Sequence, residues 1–428
     1  MPSSSRMLAR GAIACLSALA ACSPSTRDCV EGSQVWDTEA SDVVCVRGDL
    51  IVEGRSAKEV AILAEIEDIE GSLVIHDNPA LDELPEWPVL SHIGGALSLS
   101  ENAALAVVHG FPALERIDGR LYVAENPKLS QLALGNTLVS VGSIFLALNP
   151  ELVEFAAPAA LAQVEGDLNV SANNGLEVLE FPSLSGVAGS LYIEDNVALV
   201  SATFTTLRTV GGDLSISGDL SLETLDGFQA LERVTGQVTI SHNDTLKTVS
   251  LAASIDTPSL LIMNNAALTR ISGSAPARIG VHTSVNIQKN PALRSIDDFS
   301  GVEVLAGLTI EENVALIEFA GLRSLVRVGP YDLSVVRNAA LAGPADLLPV
   351  LAGVSELRVF GNKSLPPSVV QGLLDHVTVE GDTRVGDNQG EETALDPCPW
   401  AGDGLCDAIS PSGGIYTELC AIDPEDCL

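Results

Sequence analysis

Aromatic residues make up only 4% of this 428-residue chain, and basic residues number 22 against 57 acidic ones. The first shortage means that a core must be built from Leu, Val, Ile and Ala, which an apolar content of 46% can supply. The second leaves a net charge of −35, a field that repels nucleic acid and anionic lipid headgroups and so argues against nucleic-acid binding. Long apolar runs are missing as well. Beyond the N-terminal segment no stretch of ~18 apolar residues occurs, so no later segment reads as a membrane-spanning helix. Cysteine is absent between Cys45 and Cys398, and the six histidines are scattered, with no HExxH or other spaced ligand pair. There is no Gly-rich phosphate loop and no Gly-x-Ser-x-Gly elbow.

The N-terminal segment reads as a targeting signal. Arg6 and Arg10 form its positive end, and "GAIACLSALA" is an apolar run too short to span a bilayer. Its last residues, Leu19-Ala20-Ala21-Cys22, resemble the lipobox of bacterial lipoproteins. That resemblance implies a signal peptide over 1–21, with Cys22 the lipidated first residue of the mature chain. Simple cleavage after Ala21 is the alternative. With Cys15 removed and Cys22 acylated, six cysteines remain, Cys29, Cys45, Cys398, Cys406, Cys420 and Cys427, clustered at the two ends as disulfides of an oxidising compartment would be.

The middle of the chain repeats itself. Aligned on one position, the series reads Asn78, Asn102, Asn126, Asn149, Asn173, Asn196, Asp219, Asn243, Asn265, Asn290, Asn313, Asn338 and Asn362, in steps of 22 to 25 residues. Units of that length cannot bury an apolar face alone and must stack as a solenoid. Pairs such as Leu73 and Ile75, or Leu191 and Ile193, lie two residues apart and point the same way on a strand, inward. Each coil then adds one strand to a parallel sheet, and the asparagine amide serves turn backbone that would otherwise lack partners. The upstream halves, such as "FPALERIDGRL" and "FTTLRTVGGDL", space apolar residues three apart, which predicts corners and short straight pieces instead of helices. Thirteen coils at ~4.8 Å each make a rod on the order of 60 Å long.

The pattern Phe-x-x-Leu-x-x-Val-x-Gly-x-Leu-x-Ile-x-x-Asn-x-x-Leu resembles the receptor L domain, the right-handed parallel β-helix of growth-factor-receptor ectodomains and fungal cell-wall proteins. The resemblance covers residues 29–380 and implies an all-β fold of about thirteen coils, with a disulfide between Cys29 and Cys45 closing the first. Thirteen coils exceed one L domain, which puts a two-lobed ligand clamp in doubt. The alternative architecture is a leucine-rich-repeat horseshoe.

Some parallel β-helices act on polysaccharides, a chemistry that needs carboxylates paired at ~5 to 9.5 Å. The outward column from Val74 to Arg358 holds no acid, and in the next column Glu194 and Glu311 stand five coils apart. On the turn rim Asp77, Glu101 and Glu125 occupy successive coils, where stacked carboxylates could bind a cation or simply form a solvated edge. The outward column also groups Tyr122, Phe145, Asn169 and Tyr192 on four adjacent coils, the expected contact surface for a protein or sugar ligand. Packing of these side chains against one another, or cover by a loop, is the plainer reading.

Residues 381–397 are polar and Gly-rich and read as a linker. Residues 398–428 then place four cysteines among acidic residues, too little apolar material for a core without cross-links. The run Cys-x-Trp-x-x-Asp-Gly-x-Cys-Asp followed by Cys-x-x-Asp-x-x-Asp-Cys resembles the Lin-12/Notch repeat, a small calcium-binding module. The resemblance implies Cys406–Cys427 and Cys398–Cys420 pairs, although four cysteines allow three connectivities. It also implies Asp403, Asp407, Asp423 and Asp426 as calcium ligands, the alternative being acidic surface around two disulfides. The whole reads as a lipid-anchored protein of the bacterial envelope, at the outer membrane or cell surface. A tether over 22–28 leads into a rigid β-helical binding or adhesion surface of unidentified ligand, with a polysaccharide-acting enzyme or a structural spacer as alternatives.

Overall fold

A computed structural model describes residues 29–31, 34–35 and 43–389, apart from 226, 252–254, 274–281, 298, 300 and 343–346. The predicted signal segment, Cys22 and the module over 398–428, with its four cysteines and four aspartates, lie outside the described residues. What is described is a parallel β-solenoid of about 13 turns. One sheet of 26 strands carries the long strand of each coil and a shorter corner strand, and three small sheets of three, three and four strands form another face. Every described pairing is parallel, and apart from bulges between Ile117 and Arg120 and between Val328 and Asp332 the register holds from coil to coil: Leu73 lies beside Leu97, Leu97 beside Leu121 and Leu121 beside Ile144.

Period-two alternation decides which side chains go in. Leu73 and Ile75, Leu97 and Leu99, and Leu191 and Ile193 are fully buried, while Val74, Ser98 and Tyr122 between such pairs stay half-exposed. The upstream halves form two-residue corner strands such as Glu83–Leu84 and His92–Ile93, as their spacing predicts. Their phenylalanines turn inward and stack on one another. Phe155, Phe181, Phe204 and Phe228 make a continuous ring column with centroid separations of 5.8, 5.0 and 5.1 Å. Much of the small aromatic content is thus spent in the core.

The asparagines form one buried ladder through the solenoid, all but fully excluded from solvent. From Asn78 to Asn362 each asparagine donates its backbone N–H and its Nδ2 to Oδ1 of the next rung, which is Asp219 for Asn196, and Nδ2 also reaches a strand carbonyl of the previous coil. The residue before each rung is left-handed. All twelve described non-glycine residues with positive φ, from Asp77 to Asp387, occupy that place. A left-handed residue followed by an inward amide turns the chain out of the strand and satisfies the backbone it exposes.

The ladder differs from the sequence reading at both ends. Arg55 takes the rung place in the coil of Leu50–Glu53, preceded by left-handed Gly54, and donates its N–H to Asn78 Oδ1 at 2.7 Å. At the other end the solenoid does not stop at 380. Thr383–Gly386 pairs with the strand Gly353–Phe360, and Asn388, 2% exposed, accepts the N–H of Asn362 at 3.2 Å. Residues 381–389 are therefore a further coil and not linker. Thr383 stands where earlier coils have an inward Leu, which hides the repeat. Helix was also not expected, yet Pro367–His376 is one, entered through Pro at its first turn and burying Val369, Val370 and Leu373. The first coil is closed as the family resemblance implies, by a Cys29–Cys45 disulfide between register neighbours.

Candidate functional site

The long strands set the outward column in which the sequence places its candidate contact residues. Tyr122 is the register partner of Phe145, Phe145 of Asn169, and Asn169 of Tyr192. The four side chains are brought together on consecutive coils, each half-buried by its neighbours. Tyr122 and Phe145 stack face to face with centroids 5.1 Å apart and planes 7° from parallel. One reason for their proximity is therefore cross-strand packing, and the stacked faces are shared between the two rings.

Polar groups flank this row. Ser171 Oγ donates to Asn169 Oδ1 at 2.7 Å, which orients the amide within the column. Glu194, two residues beyond Tyr192 on the same strand, accepts from Ser215 Oγ at 2.6 Å. On the other side Asp167 Oδ1 caps the Ser190 backbone N–H at 2.8 Å. Aromatic rings, an amide and two carboxylates on a straight, stiff strand array can contact a ligand through apolar area and directed hydrogen bonds together.

Other predicted positions are dispersed. Asp77, Glu101 and Glu125 do fall on successive coils, exposed and left-handed at φ of 52°, 56° and 58°. Among the described residues no group of three or more His, Cys, Asp or Glu side chains is placed to hold a metal ion. Glu194 and Glu311 share their column with a third acid, Glu53, which pairs in register with His76.

One cluster escaped sequence reasoning. His92 lies between two carboxylates, with Nδ1 3.0 Å from Asp68 Oδ1 and Nε2 3.3 Å from Asp118 Oδ2, and Arg116 binds the other oxygen of Asp118. Burial disfavours the imidazolium, but the hydrogen bonds and charges of Asp68 and Asp118 outweigh it and hold the His92 pKa above its ordinary 6.5. Burial likewise works against the Asp118 carboxylate, and His92 and Arg116 overcome it and pull its pKa below 3.8. Spacings of 24 and 26 residues, one coil each way, were the available signal. Nothing in the local sequence flags them. No protein-family model matches the chain, and no curated protein matches it.

Proposed function

We propose that the chain is a non-catalytic binding or adhesion protein of the bacterial envelope, presenting the outward face of its long sheet to a protein or carbohydrate ligand. The row Tyr122, Phe145, Asn169 and Tyr192 carries this reading, since it concentrates outward aromatic area in a chain with 4% aromatics. Contact surfaces favour Tyr and other aromatics because they bury large area with few rotatable bonds. A solenoid adds stiffness, so little ordering cost accompanies binding. Lipid on Cys22 would anchor the rod to the outer membrane or cell surface, stably so if two or more acyl chains are present. The C-terminal Asp403, Asp407, Asp423 and Asp426 would add a calcium-dependent module, a reading that rests on the Lin-12/Notch resemblance.

The test uses the whole chain and a variant with Tyr122, Phe145 and Tyr192 replaced by Ala. Both are immobilised and exposed to envelope polysaccharide and to surface-protein extracts. Retention by the parent and its loss by the variant is the expected result. Equal retention by folded variant and parent removes the row from the contact. Anchoring is tested separately by fractionating cells that express Cys22→Ser, which should leave the membrane fraction. An unmodified mature N-terminus on the parent, read by mass spectrometry, would sink the lipid assignment.

A further inference from the structure

The ladder contains one rung that is not an amide. Asp219 is fully buried, and its Oδ1 does what most other rung oxygens do, accepting the Asn196 backbone N–H at 2.9 Å and Asn196 Nδ2 at 3.2 Å. Its backbone N–H passes the chain on to Asn243 Oδ1 at 3.0 Å. Oδ2 then falls where each asparagine has its Nδ2, and as an acceptor it finds no hydrogen-bond partner among the described residues. The groups around that place expect a donor. Asn196 Nδ2 reaches the Val170 carbonyl of the coil before it, and Asn243 Nδ2 reaches that of Ile216. The same step from Asp219 leads to the Ile193 carbonyl. Asn243 Oδ1, served at most other rungs by two donors, here receives only the backbone N–H.

We propose that Asp219 sits in the ladder as a neutral carboxylic acid whose Oδ2–H replaces the missing amide donor, making its coil a proton-dependent joint in the solenoid. Were the carboxylate ionised, Oδ1 would keep its two donors from Asn196, but Oδ2 would be a buried acceptor with no donor, a costly arrangement. Burial pushes the carboxyl well above the ordinary 3.8; the hydrogen bonds from Asn196 oppose this, and the charges of Asp195 and Glu194 add to it. Asp195 is close: a Cβ on the intervening Gly218 would stand 2.3 Å from its Oδ1. In the coil after, His242 and Asp244 flank Asn243, and Glu223 on the Asp219 coil is paired at 2.8 Å with Lys247 on the next. Among the described residues neither a lysine nor an arginine is a hydrogen-bond partner of Asp219.

The linkage has a definite sign. Between the unfolded value of 3.8 and the raised folded value the folded chain holds the extra proton, so stability falls as pH rises through that window and levels off above it. Asn at this rung carries no such dependence. Urea unfolding of the full chain and of Asp219→Asn, from pH 4 to pH 8, tests the proposal. The two should converge near pH 4, and the variant should gain on the parent by roughly tenfold in unfolding constant per pH unit above it. Infrared spectra at pH 7 should show a protonated-carboxyl C=O band in the parent that Asp219→Asn lacks. Amide exchange in Leu191–Glu194, Leu214–Ser217 and Gln237–Ser241 should be faster in the parent at pH 8 than in the variant at the same pH. A stability difference constant with pH and no acid band would overturn the proposal. So would a variant that fails to fold, since Asn is the residue the rung is built for.

Discussion

Asn173 donates both its backbone N–H and its side-chain Nδ2 to one atom, Oδ1 of Asn196, at 3.1 and 3.3 Å. Asn196 in turn serves the carbonyls of Val170 and Glu194. Asn196→Leu therefore removes the acceptor from donors on one side and the donor from acceptors on the other, most of them buried. A single unsatisfied buried group costs ~1 to 3 kcal/mol, so the substitution should lower stability by at least that amount. A urea midpoint equal to the parent's would contradict the ladder.

The corner before the long strand is set by close approach. A Cβ on Gly142 would lie 2.4 Å from the Gly119 carbonyl oxygen and 2.5 Å from that of Asp118, backbone atoms that cannot swing aside. Gly142→Ala should push two coils apart and destabilise by about 1 to 3 kcal/mol. Thermal unfolding would show it. Gly54, with nothing within 4 Å of its built Cβ but φ of +66°, isolates the separate cost of the left-handed backbone when replaced by Ala.

Leu148 is the least suited occupant of its place. It is left-handed at φ 57° and half exposed, so it bears a backbone penalty without burying its side chain. Asn enters this conformation readily and is polar. Leu148→Asn should raise stability by about 0.5 to 1 kcal/mol. A loss of stability would show that the leucine makes contacts worth more than the strain.

The His92 bridge makes a pH prediction. Because its folded pKa is raised above 6.5, the stabilisation it brings is full below that value and is lost as pH rises through the folded pKa. The parent should exceed His92→Gln in stability near pH 5.5 and match it near pH 8.5. With His92 35% and Asp68 29% exposed at the side chain, solvent screening keeps the gain to a few tenths up to about 1 kcal/mol. A gap of the same size at both pH values would mean that packing, not charge, holds the cluster.

The sequence by itself determined the architecture. Its repeat is a strand period of two nested in a coil period of about 24, and each period reports a local fact, the facing of a side chain or the place of a turn. The inward Leu and Ile pairs, the ladder and the column holding Tyr122, Phe145, Asn169 and Tyr192 follow from those two periods alone. Positions that carry no periodic signal were decided by tertiary structure. Thr383 breaks the inward pattern, so the coil that ends at Asn388 emerges only once Thr383–Gly386 is seen to pair with Gly353–Phe360. Asp68, His92 and Asp118 are brought together because stacking places equivalent corners one strand spacing apart, while their residue types obey no repeat. Asp219 is visible in the sequence as an exception, but its consequence is not. Only the packed ladder buries Oδ2 away from water without a donor, and a carboxyl group there must answer to its neighbours instead of to solvent.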